Sequence, residues 1–211
     1  IRYFYLFSIS IIMTLMMKLF VDDISGLDID MRSFSASRKI EILAKDLGCS
    51  YDEIAIEKGS HGKPYLSDYP MHFNITHTGS LWLMITSDMP VGIDAEYHKP
   101  RKTMGDILKT YFHDDEYRAY NGLVADQEKT CFFYDIWTKK EAYAKYTGLG
   151  MAYDFAQDSF ESTKLNDAYI YTKQYYATDR EYPVTLSICR GENFSFEDII
   201  FCGDIGNLGV P

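Results

Sequence analysis

Acidic side chains suited to chemistry occur at the end of the segment "VGIDAE", whose apolar alternation predicts a strand. Successive side chains of a strand face opposite ways, so Asp94 and Glu96 point to the same side. Two like charges this close repel each other unless a hard cation lies between them, and magnesium prefers carboxylate oxygens. Taken alone the pair is a weak signal, because an acidic strand end is more commonly a solvated edge.

A second set of charges lies in "WTKKEAYAKYTG", which begins at Trp137 and which its apolar spacing predicts to be a helix. The apolar face continues through Lys140 and Glu141, and a carboxylate on that face needs a partner. One candidate is Lys145, four residues on, in a surface ion pair that contributes about 0.2–0.5 kcal/mol. The other is a cation shared with the two strand carboxylates, which leaves Lys140 and Lys145 to bind an anion beside it.

A histidine and a lysine upstream complete the candidate set. His77 in "FNITHTG" is by itself more typical of a satisfied structural residue, and Lys63 lies in the turn "GSHGKPYL". Together with Lys140 and Lys145, these residues would supply the positive groups that a multiply charged phosphate ligand requires.

Charge and cysteine content limit the partners of this 211-residue chain, which is long enough for one domain or two packed halves. Its 21 Lys and Arg against 31 Asp and Glu give a formal net charge of -10. Such a surface disfavours nucleic acid and anionic membranes as partners. The four cysteines are dispersed without metal-ligand spacing, so we expect reduced thiols and a cytoplasmic protein.

The opening segment, "IRYFYLFSISIIMTLMMKLF", is largely apolar. A membrane span needs about 18–20 such residues, and Lys18 and Asp22 end this run early. A signal-peptide core is the alternative, but no small-residue cleavage site follows it. We therefore expect a buried first strand that runs into a core helix.

Helices and strands of ordinary length must position the candidate residues. Ser35 or Ser37 is expected to cap a helix that ends at Gly48, and Asp114 to cap another. The other expected elements are helices over 103–112 and about 128–146, strands at "DEIAIEK", "FNITHT", "LWLMIT" and "VGIDAE", and a hairpin of "AYIYTKQYYA" and "YPVTLSICR" about the turn "TDRE".

Four of these segments, in this order, resemble the motifs of the 4′-phosphopantetheinyl transferases of the larger, surfactin-synthetase-activating type. The motifs are G-K-P, F-N-x-[ST]-H-[ST]-G, G-I-D-x-E and W-[ST]-x-K-E-x-x-x-K-x-x-G-x-G. They are matched here by "GKPYL", "FNITHTG", "VGIDAE" and "WTKKEAYAKYTGLG". One motif alone is modest support, whereas four in the family order are strong, and the resemblance runs from about Arg38 to Met151.

The resemblance implies an α+β fold of two similar halves packed as a pseudo-dimer, each a small antiparallel sheet with helices, with the active site in the cleft between them. The halves would cover residues 1–90 and 91–211. The implied reaction is magnesium-dependent transfer of 4′-phosphopantetheine from coenzyme A to a serine of an acyl or peptidyl carrier protein, with release of 3′,5′-ADP. A monomer is expected from the two-halved architecture.

Carried over residue by residue, the resemblance assigns the magnesium ligands to Asp94, Glu96 and Glu141. It assigns the pyrophosphate contacts to Lys145 and His77, and Lys140 matches the lysine of the same helix motif. It assigns the 3′-phosphate and adenine end to Lys63, Thr76 and Arg38, with Gly62 and Pro64 shaping the turn. Glu141 is the candidate to accept the serine proton, directly or through a metal-bound water.

One departure from the family pattern and two alternatives accompany this interpretation. The N-terminal region lacks the basic cluster that many relatives use for the 3′-phosphate, and the segment 101–129 lies where relatives dock the carrier protein. One alternative is a non-catalytic module of the same fold that binds coenzyme A or carrier protein, although a binder has little use for a complete metal site. The other is a phosphoryl-handling hydrolase, but the sequence contains no P-loop.

Overall fold

A computed structural model describes residues 17–176 and 181–203 of this α+β protein. The described residues form two four-stranded sheets and a two-stranded hairpin. The strands are β1 (Met17–Asp23), β2 (Ile56–Lys58), β3 (Pro64–Leu66), β4 (His72–Thr78), β5 (Leu81–Ser87), β6 (Val91–Tyr97), β7 (Lys164–Leu165), β8 (Ala168–Tyr175), β9 (Val184–Arg190) and β10 (Ile199–Gly203). The helices are α1 (Met31–Leu47), α2 (Met104–Tyr111), α3 (Asp114–Gly122) and α4 (Asp126–Thr147). The α+β class implied by the resemblance is confirmed.

The first sheet has the strand order β10-β1-β5-β4, in which β1 is parallel to β10 and antiparallel to β5. Strands β4 and β5 form the hairpin that the sequence predicts, with His77 opposite Trp82. All of β5 is buried, and α1 covers one face of it, where the rings of Phe34 and Trp82 meet edge to face at 5.7 Å. A strand buried on both faces is typically a continuous apolar run, as "LWLMIT" is.

The second sheet has the strand order β6-β9-β8-β7, with every neighbouring pair antiparallel. Helix α4 packs across this sheet, and a cluster of aromatic side chains that includes Phe133, Tyr134 and Phe160 fills the space around it. Strands β8 and β9 confirm the predicted C-terminal hairpin. Most of the predicted turn, "TDRE", lies outside the described residues.

The two sheets meet along β4 and β6, their facing edge strands. Asn74 Oδ1 accepts a hydrogen bond from Ile93 N at 3.0 Å, and Thr78 Oγ1 accepts one from Tyr97 N at 3.1 Å. Polar side chains of one edge thus satisfy buried backbone donors of the other edge. Because Asn74, Thr76 and Thr78 alternate along β4, all three face β6.

Helix α1 begins earlier than the sequence predicts. Its N-cap is Asp30, whose side chain accepts a hydrogen bond from Ser33 N at 3.0 Å, so the predicted caps Ser35 and Ser37 lie inside the helix. The predicted end at Gly48 is confirmed.

Helices α3 and α4 lie where the sequence predicts them. The N-cap of α3 is His113 rather than Asp114, because the His113 ring accepts from Asp115 N while Glu116 closes the capping box. Helix α4 ends at Gly148, as predicted.

Two predicted segments differ from the structure. The end of the opening segment is the strand β1 rather than a core helix, with Met17 and Leu19 buried between the sheets, and residues 1–16 lie outside the described part. In "DEIAIEK" only Ile56–Lys58 is a strand, because the first acidic residues belong to the short 3-10 turn Tyr51–Glu53. No helix within residues 17–176 and 181–203 is both long and apolar enough to cross a membrane. The cysteines Cys49, Cys131, Cys189 and Cys202 are free thiols.

Candidate active site at the junction of β4, β6 and α4

Asp94 lies where the strand, hairpin and helix motifs converge. It is 5% exposed, and its Oδ1 accepts hydrogen bonds from the Thr76 hydroxyl at 3.0 Å and the Lys145 ammonium at 2.7 Å. Lys145 Nζ also lies 3.2 Å from Thr76 Oγ1. The other carboxylate oxygen, Oδ2, is buried and has no hydrogen-bond partner among the described residues. Three sequence motifs therefore meet at one carboxylate.

Gly92 permits the close packing of α4 on β6 that brings these groups together. A Cβ atom at this position would lie 2.0 Å from Ala142 O and 2.5 Å from Tyr146 N. The helix backbone therefore rests directly on the strand, two residues before Asp94. A side chain at position 92 would push the helix, and with it Lys145, away from the carboxylate.

Glu96 lies on the same side of β6 as Asp94, as strand alternation predicts. Its Oε2 accepts from Arg101 Nη2 at 2.6 Å and from the Thr78 hydroxyl at 3.3 Å. Burial raises the pKa of Glu96, the charge of Asp94 raises it further, and Arg101 opposes both effects. The two strand carboxylates therefore repel each other, although each has a cation beside it.

Glu141 is partly buried on the same face of α4 as Lys145. Burial raises the pKa of Glu141 to about 7, with the charges of Asp94 and Glu96 adding to the effect and Lys145 opposing it. The ammonium of Lys145 forms its ion pair with Asp94. Among the described residues, the alternative surface pair of Glu141 with Lys145 is not formed.

The three predicted metal ligands fit a hard cation by their chemistry, although their side chains are not gathered into a coordination sphere. No group of three His, Cys, Asp or Glu in the described part of the chain is placed to hold a metal ion. However, a divalent cation would give the unpartnered Asp94 Oδ2 a ligand. It would also relieve the repulsion that adds to burial in raising the pKa values of Glu96 and Glu141. Oxygen donors of this kind suit magnesium.

An open cleft of about 460 Å³ lies beside Glu96. It is lined by His77, Thr78, Gly79, Glu96, Tyr97, Lys99 and Arg101. Gly79 has a φ of +58°, and a Cβ atom there would lie 2.7 Å from the Tyr97 ring, so glycine is required at this wall. The exposed imidazole of His77 thus shares one cleft with the carboxylate of Glu96.

Lys140 is not in this cleft, and its predicted contact with an anionic ligand is wrong. Its side chain is 0% exposed, and its ammonium lies 2.9 Å from the carboxylate of Glu116, which is also 0% exposed. Lys140 Nζ further donates to Phe155 O at 2.7 Å and Asp158 O at 3.1 Å. All three donors of the ammonium are therefore used within the core, where they join α4 to α3 and to the loop after α4.

Lys63 connects the "GKP" turn to the start of β6 and the end of α4. Its ammonium donates to Val91 O and Tyr146 O, both at 3.1 Å, and burial lowers the pKa of Lys63 to about 8. The turn is closed by a hydrogen bond from Gly62 N to Gly59 O at 2.9 Å, and Pro64 begins β3. A cation at the carboxyl end of α4 also suits the helix dipole. One ammonium donor of Lys63 is left for another partner.

The other two residues expected at the adenine end have different surroundings. Arg38 lies inside α1, where it pairs with Asp22 and Glu41, each at 2.9 Å. These carboxylates supply the nearby anion that a cation in this part of the helix requires, and they oppose binding of a phosphate there. Thr76 is buried beside Asp94 and Lys145, so its hydroxyl belongs to the carboxylate site.

Sequence reasoning missed three residues of this region. Asn74 and Thr78 bind the β6 edge, and their alternation with Thr76 was the signal that could have identified them. Arg101, the partner of Glu96, lies in an irregular connector, "HKPRK", which contains no periodic signal.

The sequence model of the 4′-phosphopantetheinyl transferase superfamily matches residues 90–188 of this chain. The match includes the acidic strand β6 and helix α4 with Glu141 and Lys145. Over this region the chain is similar to these transferases. The family resemblance that the four motifs predict is confirmed.

Individual 4′-phosphopantetheinyl transferases resemble the chain over its central part. One from Bacillus subtilis is 37% identical over 125 residues, which cover 59% of this chain and 53% of that protein. The 4′-phosphopantetheinyl transferase psf-1 of Bacillus pumilus is 36% identical over 103 residues, or 48% of this chain and 43% of the relative. The 4′-phosphopantetheinyl transferase Sfp of Bacillus subtilis strain 168 is 31% identical over 112 residues, or 53% and 49%. The chain spans about half the length of the curated relatives it matches.

Proposed function

We propose that this protein transfers the 4′-phosphopantetheine group of coenzyme A to a serine hydroxyl of an acyl or peptidyl carrier protein and releases 3′,5′-ADP. The observation that carries the proposal is the convergence of three motifs on Asp94, where a hairpin threonine, a helix lysine and a strand carboxylate are in contact. Packing alone does not explain why a buried carboxylate, a lysine and two further acidic residues from distant parts of the sequence lie together. A phosphate ester with its metal ion supplies that reason.

The proposed architecture is a pseudo-dimer whose halves cover residues 1–90 and 91–211. The order of the two four-stranded sheets supports it, because β4 is the edge strand of the first sheet, β6 is the edge strand of the second, and these two edges face each other. The strand β10 departs from a simple division, since it pairs with β1 of the other half. The proposed substrate cleft lies along the β4 and β6 edges.

Magnesium is the proposed cofactor, with Asp94, Glu96 and Glu141 as its ligands. When bound, it would neutralise the pyrophosphate of coenzyme A and stabilise the negative charge that develops as the phosphoanhydride bond breaks. Lys145, which is 27% exposed, is placed to donate to the pyrophosphate beside Asp94. His77, which lines the cleft beside Glu96, is the proposed second pyrophosphate contact.

Glu141 is the proposed proton acceptor for the attacking serine hydroxyl. Without a bound cation the pKa of Glu141 lies at about 7. A bound cation would lower this pKa and keep the carboxylate ionised, as a proton acceptor must be. Lys145, one helical turn away, orients the pyrophosphate and opposes protonation of Glu141 before the substrate arrives. The bond from the serine oxygen to phosphorus then forms while 3′,5′-ADP leaves.

The adenine and 3′-phosphate end of coenzyme A is proposed to lie toward the "GKP" turn. The free ammonium donor of Lys63 and the shape that Gly62 and Pro64 give the turn support this placement. Lys140 and Arg38 are omitted, because their charged groups are already paired with carboxylates of the chain. Thr76 acts on the carboxylate side instead, where it holds both Asp94 and Lys145.

The remaining proposals follow from charge and cysteine state. An acidic protein with free thiols suits a cytoplasmic monomer with no nucleic-acid or membrane partner. Its partners would be coenzyme A and a carrier protein, docked near residues 101–129.

The deciding experiment is intact-mass spectrometry of an apo carrier protein incubated with this protein, coenzyme A and magnesium. The expected result is a gain of about 340 Da on the carrier, the mass of one phosphopantetheine group, which disappears when a chelator is added. No gain across several unrelated carriers would contradict the proposal. A coenzyme A titration would then test the alternative, a non-catalytic binding module of the same fold.

A further inference from the structure

Arg101 is a cation of the cleft that lies outside the four sequence motifs. Its guanidinium lies 2.6 Å from Glu96 and over the ring of Tyr134, with Cζ 5.6 Å from the ring centroid. The side chain is 32% exposed, so it lines the cleft without being enclosed. Its Nη2 donates to Glu96 Oε2, and a guanidinium has further N–H donors for a ligand.

The chain that carries Arg101 is firmly anchored. The Tyr134 hydroxyl donates to Lys99 O, and the His98 ring stacks on Tyr134 with centroids 4.8 Å apart and planes 6° from parallel. His98 Nε2 lies 2.5 Å from Thr185 Oγ1. Helix α4 and strand β9 thus fix the connector after β6. The position from which Arg101 enters the cleft is therefore set by the fold.

Two partners suit the guanidinium of Arg101: the carboxylate of Glu96 and a phosphate group in the cleft. Glu96 is repelled by Asp94, and Arg101 offsets part of that repulsion. A divalent cation that bound Glu96 would compete with the guanidinium for the same carboxylate. The freed guanidinium would then face the cleft shared with His77 and Lys99, and its planar fork matches the oxygens of a phosphate group.

We propose that Arg101 is a phosphate-binding residue of this cleft that pairs with Glu96 until a divalent cation takes its place. The inference rests on the proposed function and adds to it a ligand contact outside the recognised motifs. It predicts that loss of the guanidinium changes two binding affinities in opposite directions. Divalent cations bind more tightly, because a competitor for Glu96 is removed, and coenzyme A binds more weakly, because a phosphate contact is lost.

The test compares Arg101→Gln with the unchanged protein in two calorimetric titrations. Titration with MgCl₂ in the absence of coenzyme A is expected to give about two- to fivefold tighter binding in the variant, the range expected for an ion pair of this exposure. Titration with coenzyme A at a MgCl₂ concentration that saturates both proteins is expected to give at least about tenfold weaker binding in the variant, as for loss of a charge-assisted contact. Arg101→Lys keeps the charge and should fall between the two proteins in both titrations.

Arg118→Gln is the matched control. Arg118 lies on α3, is 72% exposed and pairs with Asp115, so the variant removes an equally charged, ion-paired arginine outside the cleft. Both of its dissociation constants are expected to equal those of the unchanged protein. Circular dichroism and the thermal midpoint establish that each variant is folded before titration.

Any result other than opposite shifts in folded Arg101→Gln overturns the inference. Weaker binding of both ligands would assign Arg101 to positioning Glu96 alone, and unchanged constants would leave it a surface ion pair. The mass-spectrometric assay of the unchanged protein decides the proposed function separately. Transfer by that protein together with unshifted titrations of the variant therefore rejects the role of Arg101 and retains the transferase.

Discussion

The ammonium of Lys145 lies 2.7 Å from Oδ1 of Asp94 and so joins helix α4 to strand β6. The pair connects the two motifs whose spacing first suggested chemistry. It also leaves Lys145 27% exposed, whereas Asp94 is enclosed. A lysine in this position neutralises a buried carboxylate and still presents donors to a ligand.

Lys145→Gln is therefore expected to weaken binding of coenzyme A by about 1.5–3 kcal/mol, the cost of losing a charge-assisted hydrogen bond. The measurement is a calorimetric titration with coenzyme A at fixed magnesium concentration. Lys139→Gln is the control, since Lys139 lies on the same helix and pairs with Asp135 at 2.7 Å. Equal affinities of the two variants would show that Lys145 does not contact coenzyme A.

Gly92→Ala is expected to destabilise the protein by about 2 kcal/mol or more, because its Cβ would overlap the α4 backbone at Ala142. The free energy of unfolding in urea measures the effect. Gly105→Ala is the opposite case: this helical glycine has open space around its Cβ position, so alanine should stabilise the protein by about 0.5–1 kcal/mol. A harmless substitution at position 92 would contradict the close packing of α4 on β6.

Local patterns predicted the elements of this fold better than their boundaries or their assembly. The run "LWLMIT" and the spacing along α4 predict β5 and α4, because burial imposes a period on each of them. The cap of α1 was misplaced, since several Asp and Ser residues in that segment are equally suitable and packing selects Asp30. Residues 17–20 form a strand because β5 and β10 flank them, and no local pattern contains that information.

The residues of the site were likewise predicted only in part. Alternation placed Asp94 and Glu96 on one side, and the family resemblance connected them to Glu141 and Lys145. Position 140 has the same chemistry as position 145 but faces Glu116 in the core. A difference of this kind depends on which element covers each face of α4, and charge and spacing alone do not decide it.

Lys140→Met is expected to destabilise the protein by about 3–5 kcal/mol, because it leaves Glu116 buried without its cation. The double variant Lys140→Met, Glu116→Gln should recover part of this loss, since the glutamine side chain is uncharged. Urea unfolding of both variants measures the recovery. If Lys140→Met kept its stability and lost affinity for coenzyme A, the assignment of Lys140 to the core would be wrong.

Lys63 should make the stability of the protein depend on alkaline pH. Burial lowers its pKa to about 8 in the folded protein, whereas an unfolded lysine has a pKa of about 10.4. Between these values the unfolded chain binds more protons, so the contribution of Lys63 to stability rises with pH from about 8 to 10 and is lost as pH falls through 8. The difference in unfolding free energy between the unchanged protein and Lys63→Gln should therefore grow by about 1–3 kcal/mol between pH 7.5 and pH 10. A difference that stays constant over this range would indicate that Lys63 is not desolvated by the "GKP" turn.

The variant Glu141→Gln tests whether the carboxylate of Glu141 acts in catalysis or supports the fold. The substitution keeps the shape of the side chain and removes a partly buried charge that Asp94 and Glu96 repel, so the thermal midpoint in chelator should stay the same or rise. Transfer to a carrier protein should fall by about 100-fold or more, because both a proton acceptor and a cation ligand are lost. Glu161→Gln, an exposed change in the loop between α4 and β7, is the control and should retain the initial rate. Near-normal transfer by Glu141→Gln at low magnesium would refute the roles assigned to this residue, whereas an unfolded variant would mean that the carboxylate supports the fold instead.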